Sequence, residues 1–470
     1  MEVEEKFRLT GIPGLDELIK GFPRGGLIIV SGTPGTGKTV FASSFIYYGA
    51  VKYGEPGVFV SLIEDEKRFY TYMKGFGMDF EKLAEKRLFK HIPLLTLLEP
   101  SLASSIDVIV ENIVELNAKR LVIDSYTAMN RLFRSQKEAR TFLHSILSKI
   151  VSQLECTTIL IKEEKMLEKK EFDYVDFIAD GVIHLKYGTI EDKFYRELSF
   201  IKMRGSEVRS QKTYFTVHGG LKVMTPTKIP RKQVSVRLHY PENPPRGYTT
   251  GIPDLDLEIG GYPDKSVVLF EIDPKLTFKD YMMLTVPTIA AYILKNGYCL
   301  AVPSGWVTWD VLLDAYMTYG VSEELFRRHY YLIAEPSYKE KEYENIIKIE
   351  TDESSVKRFL EIEDTFVKKY GKPPIRLFGI DRLIHYYGER ISNLLYIVPD
   401  EVKSRGGLVM WITKPVKPWL IESIAPLADV HFKIFRKHGC IFMYGIKPRT
   451  PLYGTKTVEE DPIPRLIPIV

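Results

Sequence analysis

Apolar residues in the first half of the chain fall in short unbroken runs: LIIVSG (27–32), GVFVSL (57–62), RLVIDS (120–125) and TTILIK (157–162). Continuous runs of this length, rich in β-branched residues, predict strands buried on both faces, as in a parallel sheet. The stretches FASSFIYYGAVKYG (41–54), EKRFYTYMKGFG (66–77) and EARTFLHSILSKIVSQL (138–154) read as amphipathic helices. Strands alternating with helices imply an α/β fold, a mostly parallel twisted sheet flanked by helices on both faces. Farther on, RELSFIKMR (196–204) alternates with period two and places Lys202 and Arg204 on one face of a strand.

The same pattern then recurs. Gly11, Ile12, Pro13, Leu15, Asp16, Gly21 and Pro23 match Gly251, Ile252, Pro253, Leu255, Asp256, Gly261 and Pro263 at a constant offset (251 − 11 = 240). AKRLVIDSYT (118–127) resembles PIRLFGIDRL (374–383), setting Asp124 opposite Asp381, and FIADGVIHLK (177–186) resembles PLADVHFKIF (426–435). A repeat on this scale means two copies of one domain rather than a solenoid. The expected organisation is a first domain over 1–224, a connector rich in proline and basic residues over 225–246, a second copy over 247–453, and a tail over 454–470. The tail carries three prolines and is expected to form no regular element, packing as a strap or staying mobile.

Composition adds bounds. A chain of 470 residues is long enough for two cores, and 45% hydrophobic with 27% charged residues is ordinary for a globular protein. A net charge of +4 gives no whole-molecule drive toward nucleic acid. Cys156, Cys299 and Cys440 stand far apart without CxxC spacing, which supplies neither a disulfide framework nor a zinc site. The start, MEVEEKFRLT, has no apolar segment of signal-peptide type, and no apolar run is long enough to span a bilayer. The expected location is cytoplasmic, without a membrane partner.

GTPGTGKT (32–39) satisfies G-x-x-x-x-G-K-[ST] between a predicted strand and a predicted helix, the setting a phosphate-binding loop requires. Gly32, Gly35 and Gly37 let successive backbone N–H groups converge on a phosphate, and the helix that follows turns its positive end to the same anion. Thr33, Gly35, Thr36, Gly37, Lys38, Thr39 and Val40 are the expected nucleotide-binding residues. Lys38 would reach the β- and γ-phosphates and serve catalysis there, and the Thr39 hydroxyl would hold Mg2+. LVID (121–124), a buried strand ending in an acid, supplies Asp124 as the second metal residue.

With these residues in order, the chain resembles the KaiC-like branch of the RecA/RadA ATPase superfamily, in a tandem form. TGIPGLDELIKGF, GTPGTGKT, GVFVSLIED, RLVIDS, CTTILIKEE, FIADGVIHL and FIKMRG carry the resemblance from about Leu9 to Met224, and it is weaker over Gly247–Tyr453. It implies two RecA-like (P-loop NTPase) domains, ATP with Mg2+, and head-to-tail self-association into a ring, usually a hexamer, with ATP between subunits. It also implies an acid after the strand that follows the phosphate loop, often two adjacent glutamates. Here Ile63 takes the first place and Glu64 the second, so Glu64 is the catalytic candidate and slow turnover is expected. The K-x-R-G segment is present as Lys202, Met203, Arg204 and Gly205; in relatives its cations act across the interface on the neighbour's nucleotide, and Ser206 is a further candidate. Glu163 stands where relatives have a polar residue that senses the nucleotide.

In the second copy the loop reads IDPKLTFK (272–279). Ile272, Lys275, Thr277 and Phe278 replace Gly32, Gly35, Gly37 and Lys38, so phosphate binding is expected to be lost and Asp381 to be structural. Lys447 and Arg449 still parallel Lys202 and Arg204. The aromatics Trp306, Trp309, Trp411 and Trp419 are candidates for a partner-docking surface, though burial is the commoner fate of such residues. Three functions fit: an oligomeric ATP-hydrolysing switch read by a protein partner; a RadA-like DNA-binding ATPase, from Arg131, Arg134, Lys137 and Arg140, a spacing that equally suits the wet face of an amphipathic helix, with the nearby tract LEKKEF (167–172) mixed in sign; and an ATP sensor that does not hydrolyse.

Overall fold

The computed structural model describes residues 6–62, 64–93, 102–130, 135–145, 150, 151, 153–164, 174–230, 238–305, 307–338, 343–352, 354–414, 418–458 and 461–470. They form two compact units, one of 1–225 with 468–470 and one of 226–467. No helix among the described residues is long and apolar enough to cross a membrane.

The first unit is built on a nine-stranded sheet. Its strands are β1 (Leu27–Gly32), β2 (Gly57–Ser61), β3 (Phe89–Pro93), β4 (Arg120–Asp124), β5 (Thr157–Glu163), β6 (Gly181–Ile190), β7 (Lys193–Met203), β8 (Lys212–Thr216) and β9 (Lys222–Val223). The order is β9-β8-β7-β6-β1-β5-β4-β2-β3. Pairs from β3 to β6 are parallel, and those from β6 to β9 are antiparallel. The apolar runs therefore become the central parallel strands. One face of the sheet, with Ile28, Val30, Phe59, Val122, Ile159 and Ile161, packs under helix α1 (Lys38–Tyr53) through Phe41, Phe45 and Ile46. The other, with Leu27, Ile29, Val60 and Ile123, packs under the helix Leu102–Leu116. That two-sided burial is why these strands read as unbroken apolar runs.

The GIPGLDEL segment is tied to this core by a fully buried arginine. The Arg120 guanidinium donates to Glu55 Oε2 at 2.8 and 2.6 Å, and to the carbonyls of Leu9 (2.7 Å), Thr10 (3.0 Å) and Phe45 (2.7 Å). It lies against Gly49, where an added Cβ would stand 2.1 Å from Arg120 Nε. Arg120→Ala removes its bonds to three carbonyls and to Glu55 Oε2, leaving Glu55 with Arg8 alone among the described residues, and is expected to lower stability by about 3–5 kcal/mol in urea unfolding.

The second unit repeats the plan with ten strands: β10 (Ser266–Ile272), β11 (Cys299–Val302), β12 (Tyr330–Ala334), β13 (Ile346–Lys348), β14 (Ile375–Gly379), β15 (Leu408–Thr413), β16 (Val430–Lys437), β17 (Cys440–Lys447), β18 (Tyr453–Val458) and β19 (Asp461–Pro468). Their order is β13-β12-β11-β14-β15-β10-β16-β17-β18-β19, and helix α2 (Phe278–Leu294) follows β10 as α1 follows β1.

The tail differs from expectation, because it forms β18 and β19 and completes the sheet. Its prolines, Pro462, Pro464 and Pro468, are spaced by even numbers, so every missing N–H points to the same side of the strand. An edge strand tolerates that, since only its other side must pair. On the proline side the Leu466 N–H donates instead to Asp254 Oδ2 at 2.8 Å. The tryptophans differ as well: Trp309 and Trp411 are buried in the core, Trp419 is 37% exposed, and Trp306 lies outside the described residues. Trp309, Trp411 and Trp419 therefore form no common surface.

Candidate active site

The loop between β1 and α1 has the backbone that its glycines permit. Gly35 and Gly37 take φ of 79° and 97°, and Gly37 caps α1 in the left-handed region, so α1 starts at Lys38 without a side-chain cap. Its first N–H groups are left for an anion. Thr36 Oγ1 donates to Thr33 O at 2.8 Å, and Lys38 Nζ donates to the same carbonyl at 2.9 Å. Burial pushes the Lys38 ammonium pKa down, opposed by the carboxylates of Glu163, Asp124 and Glu164. Val40 is buried beneath the loop in the α1 core.

Thr39 and Asp124, 85 positions apart in sequence, meet: Thr39 Oγ1 donates to Asp124 Oδ2 at 2.7 Å. Burial pushes the Asp124 carboxyl up to about 6; the Thr39 hydrogen bond and Lys38 oppose this, while Glu64 and Glu163 add to it. A hydroxyl and a carboxylate are the hard oxygen donors a small divalent cation takes from a protein while phosphates and water fill its other positions. Residues Thr39 and Asp124 fit that role. Glu64 lies just past β2, where its N–H donates to Ser61 Oγ at 2.9 Å and burial raises its carboxyl. Ile63 lies outside the described residues.

Lys202 and Arg204 stand elsewhere. Lys202 pairs with Val182 on β6, and Val182 is level with Ile29 on β1, three residues or about 10 Å short of Gly32 along the strand. Lys202 Nζ donates to Phe177 O at 2.7 Å, and Arg204 Nη2 donates to the same carbonyl at 3.2 Å. Arg204 also pairs with Asp180 at 3.5 Å. Both cations thus gather at the end of the sheet opposite this chain's own phosphate loop. Ser206 Oγ accepts the Lys20 N–H at 3.0 Å. Of the cations considered for DNA, Arg131, Arg134 and the LEKKEF tract lie outside the described residues, and Arg140 is placed over the Tyr174 ring at 4.9 Å.

Two further contacts were not expected. Arg196 Nη1 donates to Gly35 O at 2.6 Å, and its Nε donates to the main-chain oxygen of Val470 at 3.3 Å. His184 Nδ1 stands 3.2 Å from Ser31 Oγ and 3.3 Å from Glu164 Oε1, directly behind the loop. Arg196 opens the alternating run that holds Lys202 and Arg204; nothing in the sequence singles out His184.

In the second unit the equivalent place is closed from within. Thr277 caps α2 with φ −85°, and the Asp280 carboxylate accepts both its N–H (2.8 Å) and its hydroxyl (2.9 Å). Arg436 neutralises Asp280, Leu276 is buried, and Lys414 Nζ donates to Leu276 O at 2.7 Å. A carboxylate therefore occupies the helix start that an anion would need. Asp381 falls in the first turn of the helix Ile380–Tyr387, not at a strand end, and accepts the Gly305 N–H at 2.8 Å. Lys447 keeps the role seen for Lys202, donating to the carbonyls of Ala425 (2.9 Å) and Ala428 (3.2 Å).

The family model for the KaiC ATPase matches residues 9–228, which span this loop, the Thr39–Asp124 pair and the cationic strand. UPF0273 protein MJ1359 of Methanocaldococcus jannaschii is 31% identical over 236 residues, covering 47% of this chain and 96% of that protein. The chain belongs to the KaiC-like ATPase family. A UPF0273 protein of Thermotoga maritima is 32% identical over 213 residues, 42% of this chain and 86% of its own length. A solved KaiC-like protein from Pyrococcus horikoshii is 34% identical, with 47% of this chain and 99% of that one covered at a TM-score of 0.42. The KaiC match falls on the first unit, and the internal repeat relates the second unit to it.

Proposed function

We propose that this KaiC-like protein binds Mg·ATP in its first domain and hydrolyses it slowly to ADP and phosphate, as an oligomeric switch read by a protein partner. The observation that carries the reading is the meeting of Thr39 with Asp124 beside an uncapped helix start and Lys38. Main-chain N–H groups and Lys38 would hold the phosphates, and Thr39 and Asp124 would hold Mg2+. Mg2+ neutralises charge on the phosphates when bound. A carboxylate at the carboxyl edge of the sheet would orient the water. The second domain, with Asp280 in place of a phosphate, would keep the fold as scaffold.

Lys202 and Arg204 lie too far from their own loop to serve it, which supports their acting on a neighbour's nucleotide in a ring. Mixing two inactive variants tests this. Lys38→Ala retains the cations, and Arg204→Ala retains the loop. Equimolar mixtures are expected to recover measurable phosphate release at mixed interfaces, whereas each variant alone gives about 100-fold less than wild type or lower. Mixtures no more active than their components would remove the trans assignment. Phosphate release and particle mass with and without ATP test the wider reading. ATP bound without any turnover would instead favour the sensor.

A further inference from the structure

We propose that Glu163 is the catalytic carboxylate of the first domain, orienting the attacking water and taking its proton, in place of the acid that follows β2. This rests on the ATP-hydrolase reading above and goes beyond it by naming the group.

The placement follows from strand order and parity. Thr39, at the start of α1 next to β1, reaches Asp124 on β4, and β5 is the strand between β1 and β4. A terminal phosphate bound by Lys38 and a metal bound by Thr39 and Asp124 would therefore lie over the carboxyl end of β5. Glu163 is the last residue of that strand. It pairs with Gly32, the first residue of the loop, and extends two residues past Ile161, the residue level with Asp124.

Side-chain direction agrees. Ile159 and Ile161 belong to the core under α1, while Leu160 belongs to the opposite core and Lys162 bonds Asp176 at 2.6 Å. Alternation then gives Glu163 the α1 face, the same face on which Val122 sets Asp124. The backbone there is held from both sides: the Glu163 N–H donates to Thr127 Oγ1 at 2.8 Å, and the Glu164 N–H donates to Gly32 O at 3.0 Å. These bonds fix where the Glu163 backbone stands relative to the loop. Its closeness to Lys38 and Asp124 also registers in their shifted ionisation.

The competing acid is less well placed. On β2 the α1-face positions are Phe59, in the α1 core, and then Ser61, and neither is an acid. Glu64 follows the end of β2, three strand spacings or about 14 Å from β1, against one spacing for Glu163.

In the step, the water oxygen bonds to the γ-phosphorus as the bond from phosphorus to the β–γ bridging oxygen breaks. ADP leaves with that electron pair, and the water proton passes to Glu163 and then to solvent. No further reactant is needed.

The test compares Glu163→Gln, Glu163→Ala and Glu64→Gln in the full chain by single-turnover phosphate release and by Mg·ATP affinity. Glu163→Gln is expected to slow release about 100-fold or more with affinity within about threefold of wild type, a larger loss of rate than Glu64→Gln gives. Formate is expected to restore part of the rate to Glu163→Ala, which a residue that only braces Lys38 would not show. Release by Glu163→Gln within threefold of wild type overturns the assignment. So does a loss matched by an equal loss of affinity, or a Glu64→Gln defect larger than that of Glu163→Gln. A wild type that binds ATP and releases no phosphate overturns the hydrolase reading, and this assignment with it.

Discussion

Lys38→Ala is expected to weaken Mg·ATP binding by about 100-fold or more, some 3 kcal/mol, and to bring phosphate release to background. The size follows from the company that Lys38 keeps. Glu163, Asp124 and Glu164 all act on its ammonium, and Glu64 bears on Asp124. With Lys38 in place a triphosphate meets one buried cation, the uncapped start of α1 and loop N–H groups. Without it the same anion enters a nest of carboxylates, where like charges close together repel by several kcal/mol. The fold should not suffer. Among the described residues the Lys38 ammonium donates to Thr33 O, and burial already disfavours its charge. The variant should therefore melt at or slightly above the wild-type temperature while failing to shift on adding Mg·ATP. A fluorescent ATP analogue titrated into both proteins, followed by a melting curve, separates the two effects. Unchanged affinity would take the phosphate loop out of the function.

The fold and the core of this site were legible because they rest on local rules. Unbroken apolar runs mark strands with two covered faces, and a loop needing positive φ must show its glycines, as Gly35 and Gly37 do. The 240-residue offset located the start of α2 at Phe278 opposite Lys38, and the loss of glycine at Thr277 correctly signalled a different loop. What filled that loop was not legible. Asp280 is three residues past the cap and reads as an ordinary helix acid; only its meeting with Arg436, 156 positions away, makes it an internal substitute for an anion. Arg196 was missed for the same reason, since its partner Gly35 lies 161 positions off. The tail failed differently. Three prolines argue against a strand until their even spacing is counted, because a single edge can be left unpaired. Trp309 and Trp411 followed the commoner rule that large aromatics fill cores.

Asp124→Asn should move activity and stability in opposite directions. Burial holds the Asp124 carboxyl up to about 6, above its value of 3.8 in an unfolded chain. The metal-free folded state therefore binds more protons than the unfolded state between about pH 4 and 6, and its stability falls as pH rises through that window. Above it, a half-buried carboxylate persists with the Thr39 hydroxyl as its hydrogen-bond partner and other acids near it. Asparagine has nearly the same shape and no charge, so at pH 7.5 the metal-free variant should melt a few degrees higher than wild type, by ~2–4 °C per kcal/mol relieved. A divalent cation requires the ionised form. Wild-type affinity for Mg·ATP should accordingly be flat above about pH 7 and fall toward tenfold per pH unit below 6, with a proton taken from Asp124 on binding. In the variant that slope should vanish, along with Mg2+-dependent tightening of ATP, and phosphate release should fall by about 100-fold or more. Calorimetric titrations at pH 5.5 and 7.5 in buffers of different ionisation heat read the proton directly. A wild-type binding curve without proton release at pH 5.5, or a variant that melts below wild type in the absence of metal, would show that the carboxylate is already ionised and stabilising. Residues Thr39 and Asp124 would then be a structural pair that holds α1 on β4, and the cation would have to be sought elsewhere along the carboxyl edge of the sheet.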